Sequence, residues 1–263
     1  MSVKPDPKEG EYQPASREMS RRSAETHAEF MIAQLKPGMR LLDVGCGTGS
    51  ITVGFAGYVN PGDVVGIDTG EAEIKAAVEN AENLALSNVK FQVGGLTNLP
   101  FVENEFDAVF AGSAIEFIPD AAAAIDQIAR VLRPGGVVGL SGGTPSRHIA
   151  IPDEPFIKRY RAIHRAVRVS RGEHPEMGIE QIALLRNAGF VELDITGTFE
   201  TRPANADHAD VFAGDQFVKE AEGIGASTRD EIEKLASEIR AYAEIPNALG
   251  LVPSIRVVAK LPE

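Results

Sequence analysis

The sequence lacks features that are typical of several classes of protein. Its single cysteine, Cys46, excludes an internal disulfide and a cysteine-based metal cluster, and we expect no metal site. Tryptophan is absent, and 26 lysines and arginines against 38 aspartates and glutamates give a net charge of −12. Because binding to a nucleic-acid backbone needs a basic face, this balance argues against nucleic acid as a partner.

Long apolar runs are also absent. No run of about 18 apolar residues occurs, so no membrane partner is expected. Residues 1–19 are polar, contain three prolines and lack the apolar core of a secretory signal, and they predict a flexible N-terminal arm. These absences favour a cytoplasmic location for the protein. The 43% hydrophobic content of the 263 residues is enough for one large α/β core, and we predict a single domain over residues 20–263.

The most informative stretch is Leu41–Gly49, with the sequence Leu-Leu-Asp-Val-Gly-Cys-Gly-Thr-Gly. An apolar run that breaks into alternating glycines predicts a buried strand, a tight turn and a helix that begins near Ser50. Glycine lets the backbone bend sharply and lets a ligand approach without an intervening Cβ. The following helix directs its free N–H groups into the same space. The stretch therefore predicts a loop that binds a nucleotide cofactor.

Two common cofactor loops do not match this stretch. Ser50 stands where the dinucleotide fingerprint G-x-G-x-x-G has its third glycine, and no lysine follows as in a phosphate-binding P-loop. Asp68 ends the second predicted strand, 23 residues after Gly45. Since ligands of open parallel sheets bind beyond the carboxyl ends of the strands, this acid is placed to accept both hydroxyls of a ribose. A helix cap at Asp68-Thr69-Gly70 is the alternative.

Strand and helix patterns alternate along the first half of the chain, which predicts a doubly wound, mostly parallel sheet. After Ser141 this alternation stops, and residues 142–152 read as a loop. The predicted strands are residues 39–44, 63–68, 89–93, 106–111, 137–140, 190–197 and 255–260. The predicted helices are residues 20–35, 50–59, 71–86, 120–132, 155–169, 178–188, 209–221 and 228–244.

Four stretches together resemble the class I S-adenosylmethionine-dependent methyltransferases, in particular small-molecule enzymes akin to those of quinone biosynthesis. They are Leu41–Gly49, Asp68, Leu99-Pro100-Phe101 with Phe106–Phe110, and Ala129–Val137. The resemblance is close over residues 20–145. It implies a Rossmann-like three-layer α/β sandwich with a seven-stranded sheet, mostly parallel with an antiparallel last strand. It also implies a helical cap, which we expect at about residues 20–35, 145–177 and 200–248.

The resemblance implies S-adenosylmethionine as the cofactor and S-adenosylhomocysteine as the product, with a methyl group moving to O, N or C of a small organic acceptor. Asp43 and the glycine loop would hold the methionine end, Asp68 the ribose and Thr69 the adenine edge. The residues implied to contact the cofactor are Asp43, Gly45, Cys46, Gly47, Thr48, Gly49, Asp68, Thr69, Gly95, Leu96, Ala111, Gly112 and Ser113.

The chain departs from the family pattern at two positions. Gly95 stands where the family usually has an acid that binds the adenine amino group, and Phe117 replaces a histidine after the fourth strand. Leu96 backbone groups or Asn98 could substitute for the acid. The departures leave two alternatives to methyl transfer, a cyclase or pericyclase that keeps the fold, and a non-catalytic subunit that binds the cofactor.

Candidates for a general base lie in and before the predicted helix 155–169. They are His164, Tyr160 and His148, with His27 and His174 as weaker candidates; packing is the alternative for His164, which lies beside an apolar stripe. The same helix and its end carry a basic face of Lys158, Arg159, Arg161, Arg165, Arg168 and Arg171. We expect these side chains to pair with the acidic segment 200–245 or with a second subunit, which would suit a homodimer. An anionic substrate or an acyl-carrier partner is the alternative.

Overall fold

The computed structural model describes residues 22–263. The predicted arm, residues 1–19, and the first two residues of the predicted N-terminal helix lie outside the described residues. The sequence predicts one domain over residues 20–263, and within the described part the structure shows two compact units. The first unit comprises residues 22–112, 126–139 and 258–263, and the second comprises residues 113–125 and 140–257.

The helices and strands follow the predicted order. The strands are β1 Leu41–Val44, β2 Val64–Asp68, β3 Val89–Val93, β4 Phe106–Gly112, β5 Leu132–Gly143, β6 Ile149–Ile151, β7 Val191–Pro203 and β8 Leu249–Lys260. The helices are α1 Ala24–His27, α2 Glu29–Ile32, α3 Thr52–Val59, α4 Glu71–Asn83, α5 Ala121–Val131, α6 Pro155–Ser170, α7 Met177–Asn187, α8 Asp207–Phe212, α9 Asp215–Gly223 and α10 Arg229–Ala243. Single 3₁₀ turns occur at Ile115–Phe117 and Pro145–Arg147.

The strands of the described residues form an eight-stranded sheet in the order β3-β2-β1-β4-β5-β8-β6, with β7 paired to β8. β1 pairs in parallel with β2 and β4, and β2 pairs in parallel with β3. β6 pairs antiparallel with β8 at the end of this order. The mostly parallel sheet is confirmed. The strand beyond the seven expected is β6, which the sequence analysis assigned to a loop, because three residues with one buried side chain give no readable alternation.

The core of the first unit forms around the central strand β1, all four residues of which are buried. A parallel strand covered on both faces reads as a continuous apolar run, which is why Leu41–Val44 was recognisable. Phe110 of β4 packs edge-on against Phe55 of α3 at 5.3 Å and tilted against Phe30 at 6.0 Å between ring centroids. These contacts hold α3 and α2 against β4.

The N-terminal segment packs into this core. The predicted helix 20–35 is two short helices, α1 and α2, which are separated at Ala28, where φ is −136°. The approach to α3 is close, since a Cβ atom on Gly54 would lie 2.7 Å from the Cβ of Ala24. The fully buried side chains of the segment are Ala24, Ala28 and Met31.

The second unit has its own apolar core, in which α6, α8, α9 and α10 pack together. Its largest buried side chain is Phe212, which contacts Tyr160 and Phe217 with ring centroids 4.9 Å apart in each pair. The predicted helix 209–221 is two helices, α8 and α9, because the chain is extended at Gly214 (φ −62°, ψ 142°).

An arginine of α5 holds the loop that follows β3 in the first unit. Arg130 donates to the carbonyl oxygens of Phe101 (2.8 Å) and Leu99 (2.9 Å), and its other contacts run to Gln127. Gln127 in turn accepts from the backbone N–H of Leu99 at 3.3 Å. Two of the stretches that carry the family resemblance are therefore bonded to each other.

Candidate functional site

The loop between β1 and α3 is tied to the end of β2. The N–H groups of Gly45 and Cys46 both donate to the carbonyl of Ile67, at 2.8 and 3.1 Å. Gly45, Gly47 and Gly49 have φ values of 73°, 52° and 72°, in the left-handed region that side chains disfavour. A Cβ atom on Gly49 would also lie 2.7 Å from the ring of Phe91. Both backbone strain and packing therefore require glycine here, as the sequence predicts.

Asp68 lies at the end of β2 and binds this loop directly. Its Oδ2 accepts the N–H of Gly47 at 2.8 Å, and its Oδ1 accepts the N–H of Gly70 at 3.0 Å. Each carboxylate oxygen has two lone pairs, so each keeps one for a further donor. The alternative, a helix cap, does not describe this bond, because Gly70 is the N-cap residue of α4 and the helix has no side-chain cap bond. The two bonds leave the carboxylate able to accept two more.

Asp43 of β1 is a buried carboxyl group, with only 2% of its surface exposed. Thr52 at the start of α3 donates its hydroxyl to Oδ2 at 2.6 Å. Burial raises the pKa of Asp43 from 3.8 to about 7, the Thr52 hydrogen bond acts against that rise, and Asp68 adds to it. Asp43 is therefore an acid whose charge near neutral pH depends on what is bound beside it.

Cys46, between two glycines of the loop, packs against β2. A Cβ atom on Gly66 would lie 3.0 Å from its sulfur. Burial first, and then Asp43 and Asp68, raise the pKa of the Cys46 thiol far above its usual value. The side chain is thus a packing group of the loop and a poor nucleophile.

Thr69 and Gly95, both predicted to border the adenine, lie side by side. A Cβ atom built on Gly95 would lie 3.9 Å from Thr69 Cγ2 and would contact nothing nearer. Leu96, whose backbone was the predicted substitute for the acid, is buried with 5% of its surface exposed. Gly95 itself offers no side chain in place of the acid that the family resemblance implies here.

Three consecutive residues predicted to contact the cofactor, Ala111, Gly112 and Ser113, are assigned to different units. Ala111 is buried and Gly112 is the last residue of the strand in the first unit. Ser113 belongs to the second unit, has a φ of 55° and donates its N–H to the carbonyl of Ser141 at 2.9 Å.

A concave surface of the first unit gathers several predicted residues. Its lining residues are Arg22, Asp43, Gly45, Cys46, Thr48, Ser50, Ile51, Phe110 and Gly112. Sequence reasoning did not identify Arg22, which lies in a polar segment without a pattern. It also missed Thr52, since the bond from Thr52 to Asp43 spans nine residues across the loop.

The candidate bases His164, Tyr160 and His148 all lie in the second unit. His164 stacks on Phe217 at 6.0 Å, and burial, followed by the charges of Arg168, Arg171 and His208, lowers its pKa to about 4. Burial raises the pKa of Tyr160, so its phenol stays neutral at neutral pH. Burial also lowers the pKa of His148 to about 4. His164 thus packs in the apolar core, and both histidines are neutral near pH 7.

The other two histidine candidates have local partners. His174 contacts Glu180 through Nδ1 at 2.8 Å and the carbonyl of Pro119 through Nε2 at 3.4 Å. His27 Nδ1 contacts the hydroxyl of Thr26 at 2.7 Å. Both arrangements serve local structure. Among residues 22–263, no group of three or more His, Cys, Asp and Glu side chains is placed to hold a metal ion.

The basic face of α6 pairs with acids, as the sequence analysis expects. Two pairs reach the acidic segment 200–245: Arg159 with Glu231, and Arg171 with Glu220. Two further pairs connect Arg165 with Glu176 and Arg168 with Glu173. Arg161 is different, since its Nη1 donates to the carbonyl of His148 at 2.6 Å and, among residues 22–263, its Nε and Nη2 have no hydrogen-bond partner.

Phe117, which replaces the family histidine, has a structural role. The guanidinium of Arg168 lies 5.1 Å from the centroid of its ring, and the same arginine lies 3.5 Å from Glu116. Phe117 and Glu116 therefore both bind the buried end of α6.

Comparison with known proteins identifies methyltransferases that are similar to this chain. The family model described as a methyltransferase domain matches residues 35–145. Nocamycin O-methyltransferase of Saccharothrix syringae is 34% identical over 171 residues, which are 60% of this chain and 61% of that protein. Demethylmenaquinone methyltransferase of Staphylococcus carnosus is 40% identical over 105 residues, 40% of this chain and 43% of that protein. The matched part thus spans from under half to about three fifths of these relatives.

Solved structures extend the likeness of the fold beyond the matched domain. A putative methyltransferase from Bacillus halodurans superposes with a TM-score of 0.63 at 22% identity, over 91% of this chain and all of that one. The [4+2]-cyclase SpnF superposes with a TM-score of 0.56 at 25% identity, over 95% of this chain and 82% of that one. None of the helices among residues 22–263 has both the length and the apolarity needed to cross a membrane.

Proposed function

We propose that this chain is a class I S-adenosylmethionine-dependent methyltransferase that methylates O, N or C of a small organic acceptor. The match of the methyltransferase-domain model over residues 35–145 and the two named relatives support this proposal. The observation that carries the proposal is the carboxylate of Asp68, bonded to Gly47 and Gly70 and left with two acceptor positions. The acidic chain and the small-molecule relatives favour such an acceptor over nucleic acid.

The residues of the first unit fit the cofactor. Glycines at 45, 47 and 49 keep Cβ atoms away from the loop, and the buried acid Asp43 lies beside it. We assign Asp43 and the loop backbone to the methionine end, since a cationic ammonium would stabilise the ionised form of this carboxyl group. Asp68 would accept the ribose hydroxyls, and Thr69 with Gly95 would border the adenine.

S-adenosylmethionine, when bound, supplies an electrophilic methyl group on a sulfonium. The residues of the chain then have to orient the reactants and exclude water, since an in-line displacement depends mainly on positioning. The candidate bases differ in what they can do. His148 and His164 are neutral imidazoles near pH 7 and can accept a proton, whereas Tyr160 carries its own.

Calorimetric titration with S-adenosylmethionine and S-adenosylhomocysteine tests this assignment. We expect Asp68→Ala to lose at least about tenfold in affinity, because two charge-assisted hydrogen bonds are removed. Asp126→Ala is the matched control, an exposed aspartate of α5 that should bind as the wild type does. Unchanged affinity in Asp68→Ala would mean that the ribose lies elsewhere, and no binding to the wild type would refute the proposed function.

A second candidate function keeps the fold and binds the cofactor without methyl transfer. It is favoured by Gly95 and Phe117, the two departures from the family pattern, and by the likeness to the cyclase SpnF. Incubation with a panel of acceptors, with S-adenosylhomocysteine as the readout, separates the two. Cofactor binding without turnover across the panel would favour non-methylating chemistry or a non-catalytic, cofactor-binding subunit.

A further inference from the structure

Arg161 of α6 differs from the other arginines of its helix. Its Nη1 donates to the carbonyl of His148 at 2.6 Å. Its Nε and Nη2 are buried and have no hydrogen-bond partner among residues 22–263. Burial lowers the pKa of Arg161, although a guanidinium remains charged at any pH at which the protein is folded. One edge of a cation is therefore desolvated and uncompensated.

The nearby Arg159 shows what this edge binds when an acid is available. Its Nε and Nη2 donate to the two carboxylate oxygens of Glu231, at 2.6 and 2.8 Å. These are the same two atoms that lack partners in Arg161, and they form the fork that fits a carboxylate or a phosphate with two parallel bonds. The unfilled edge of Arg161 thus has the geometry of an oxyanion receptor.

Other positive and polar groups lie near Arg161, whose Nη1 contacts the backbone of His148. His148 Nε2 is buried and also lacks a hydrogen-bond partner among the described residues. After burial, the charges of Arg161, Arg202 and His208 are what lower the pKa of His148. Arg161 and Arg202 both favour the ionised form of Tyr160, although burial outweighs them and raises its pKa. The surroundings of His148 therefore have a positive potential.

The acids near this cluster do not neutralise it. Asp153 attracts Arg161, but the two form no ion pair within 4 Å in the described chain. Glu200 pairs with Arg202 at 3.0 Å and is bound there. An isolated buried charge is strongly unfavourable unless it is paired, so a bound anion would remove the imbalance.

We propose that Arg161, with His148 beside it, forms a binding site for the oxyanion of a small molecule, either a carboxylate or a phosphate group. The guanidinium fork holds two oxygens, and His148 lies beside the fork through the bond from Arg161 Nη1 to its carbonyl oxygen. The site lies wholly in the second unit and requires no methyl transfer. Its use in choosing acceptors rests on the proposed function, since it puts anionic compounds first in the acceptor panel.

Titration with inorganic phosphate and with acetate, in the absence of S-adenosylmethionine and at constant ionic strength with chloride as the filler, tests the site. The Nε–H signals of the arginines in ¹H–¹⁵N spectra report binding at Arg161. We expect either anion to shift one such signal saturably, and Arg161→Gln to weaken that binding at least about tenfold. Arg165→Gln, an exposed arginine on the same helix, is the control and should leave it unchanged.

The two anions distinguish the source of the oxyanion. Binding of both supports a general oxyanion site, and binding of one alone assigns the site to phosphates or to carboxylates. We also expect Arg161→Gln to keep or raise the melting temperature in anion-free buffer, because it removes a buried charge. If Arg161→Gln does not fold, Arg161→Lys keeps the charge without the fork and should still bind more weakly.

Two results would overturn the proposal: no binding beyond chloride, which would leave water as the partner of Arg161, or binding by Arg161→Gln equal to the wild type. Because the titration contains no cofactor, its failure is separate from a failure of methyl transfer. Anion binding by a protein that transfers no methyl group would refute the proposed function and leave this site standing.

Discussion

Restoring an acid at Gly95 should tighten cofactor binding. The family usually has an acid at this position, where it binds the adenine amino group, and the structure shows that a side chain fits. A Cβ atom there would meet only Thr69 Cγ2, at the ordinary contact distance of 3.9 Å, and the backbone is not in the left-handed region. Gly95→Asp should therefore fold as the wild type does and place a carboxylate beside the predicted adenine edge.

The size of the effect follows from two opposing terms. A hydrogen bond to a charged group stabilises by about 1.5–3 kcal/mol, and ordering the new side chain costs about 0.5–1.5 kcal/mol. The net gain is about 1 kcal/mol, which corresponds to about fivefold tighter binding of S-adenosylmethionine and S-adenosylhomocysteine. Isothermal titration calorimetry measures this difference directly.

Two controls separate the carboxylate from the added carbon. Gly95→Ala adds the Cβ alone and should bind the cofactor as the wild type does. Gly94→Ala should lower the melting temperature, because its Cβ would lie 2.6 Å from Ile67 Cδ1. Equal affinity of Gly95→Asp and Gly95→Ala would refute the reasoning and would show that the adenine does not lie beside Gly95.

Two further predictions concern buried groups of the first unit. The pKa of Asp43 is raised from 3.8 to about 7, so between these pH values the folded chain binds more protons than the unfolded chain. This group therefore lowers the free energy of unfolding as pH rises from about 4 to about 7, by up to about 1.4 kcal/mol per pH unit. Urea unfolding of Asp43→Asn, measured against pH, should lack this contribution. The difference between the pH profiles of wild type and variant isolates Asp43 from His148 and His164, whose lowered pKa values act in the opposite sense. Identical pH profiles would contradict the prediction. Cys46, whose thiol pKa is raised by burial, should react with a disulfide reagent at pH 8 much more slowly in the native protein than in urea, and equal rates would show that the loop opens readily.

Much of the first unit could be predicted because its signals are local. Leu41–Val44 is buried on both faces and reads as one apolar run, and the alternating glycines that follow adopt the backbone that only glycine adopts freely. The position of Asp68 beside the glycine loop could be predicted because the ends of neighbouring strands in a parallel sheet meet at one edge. Strands β1 to β4 were predicted with bounds within two residues of those in the structure.

The rest depends on contacts that the sequence does not order. Thr52 looks like any residue that begins a helix, and its bond to Asp43 becomes visible only when the loop is folded. Arg159 and Arg161 look alike in the sequence, yet Arg159 pairs with Glu231, 72 positions later, whereas Arg161 forms no ion pair with any acid among residues 22–263. The break between α8 and α9 depends on the extended backbone of Gly214, which tolerates helix and extended chain alike.

The hydrogen bonds of Arg130 limit what sequence similarity to relatives indicates about the substrate of this protein. Because its guanidinium joins α5 to the carbonyls of Leu99 and Phe101, two of the stretches by which relatives are recognised are parts of one brace. A brace of this kind holds the chain together, whatever compound binds nearby. Two proteins could therefore share these stretches letter for letter and still act on unrelated metabolites, so the choice of acceptor has to be sought in residues outside them.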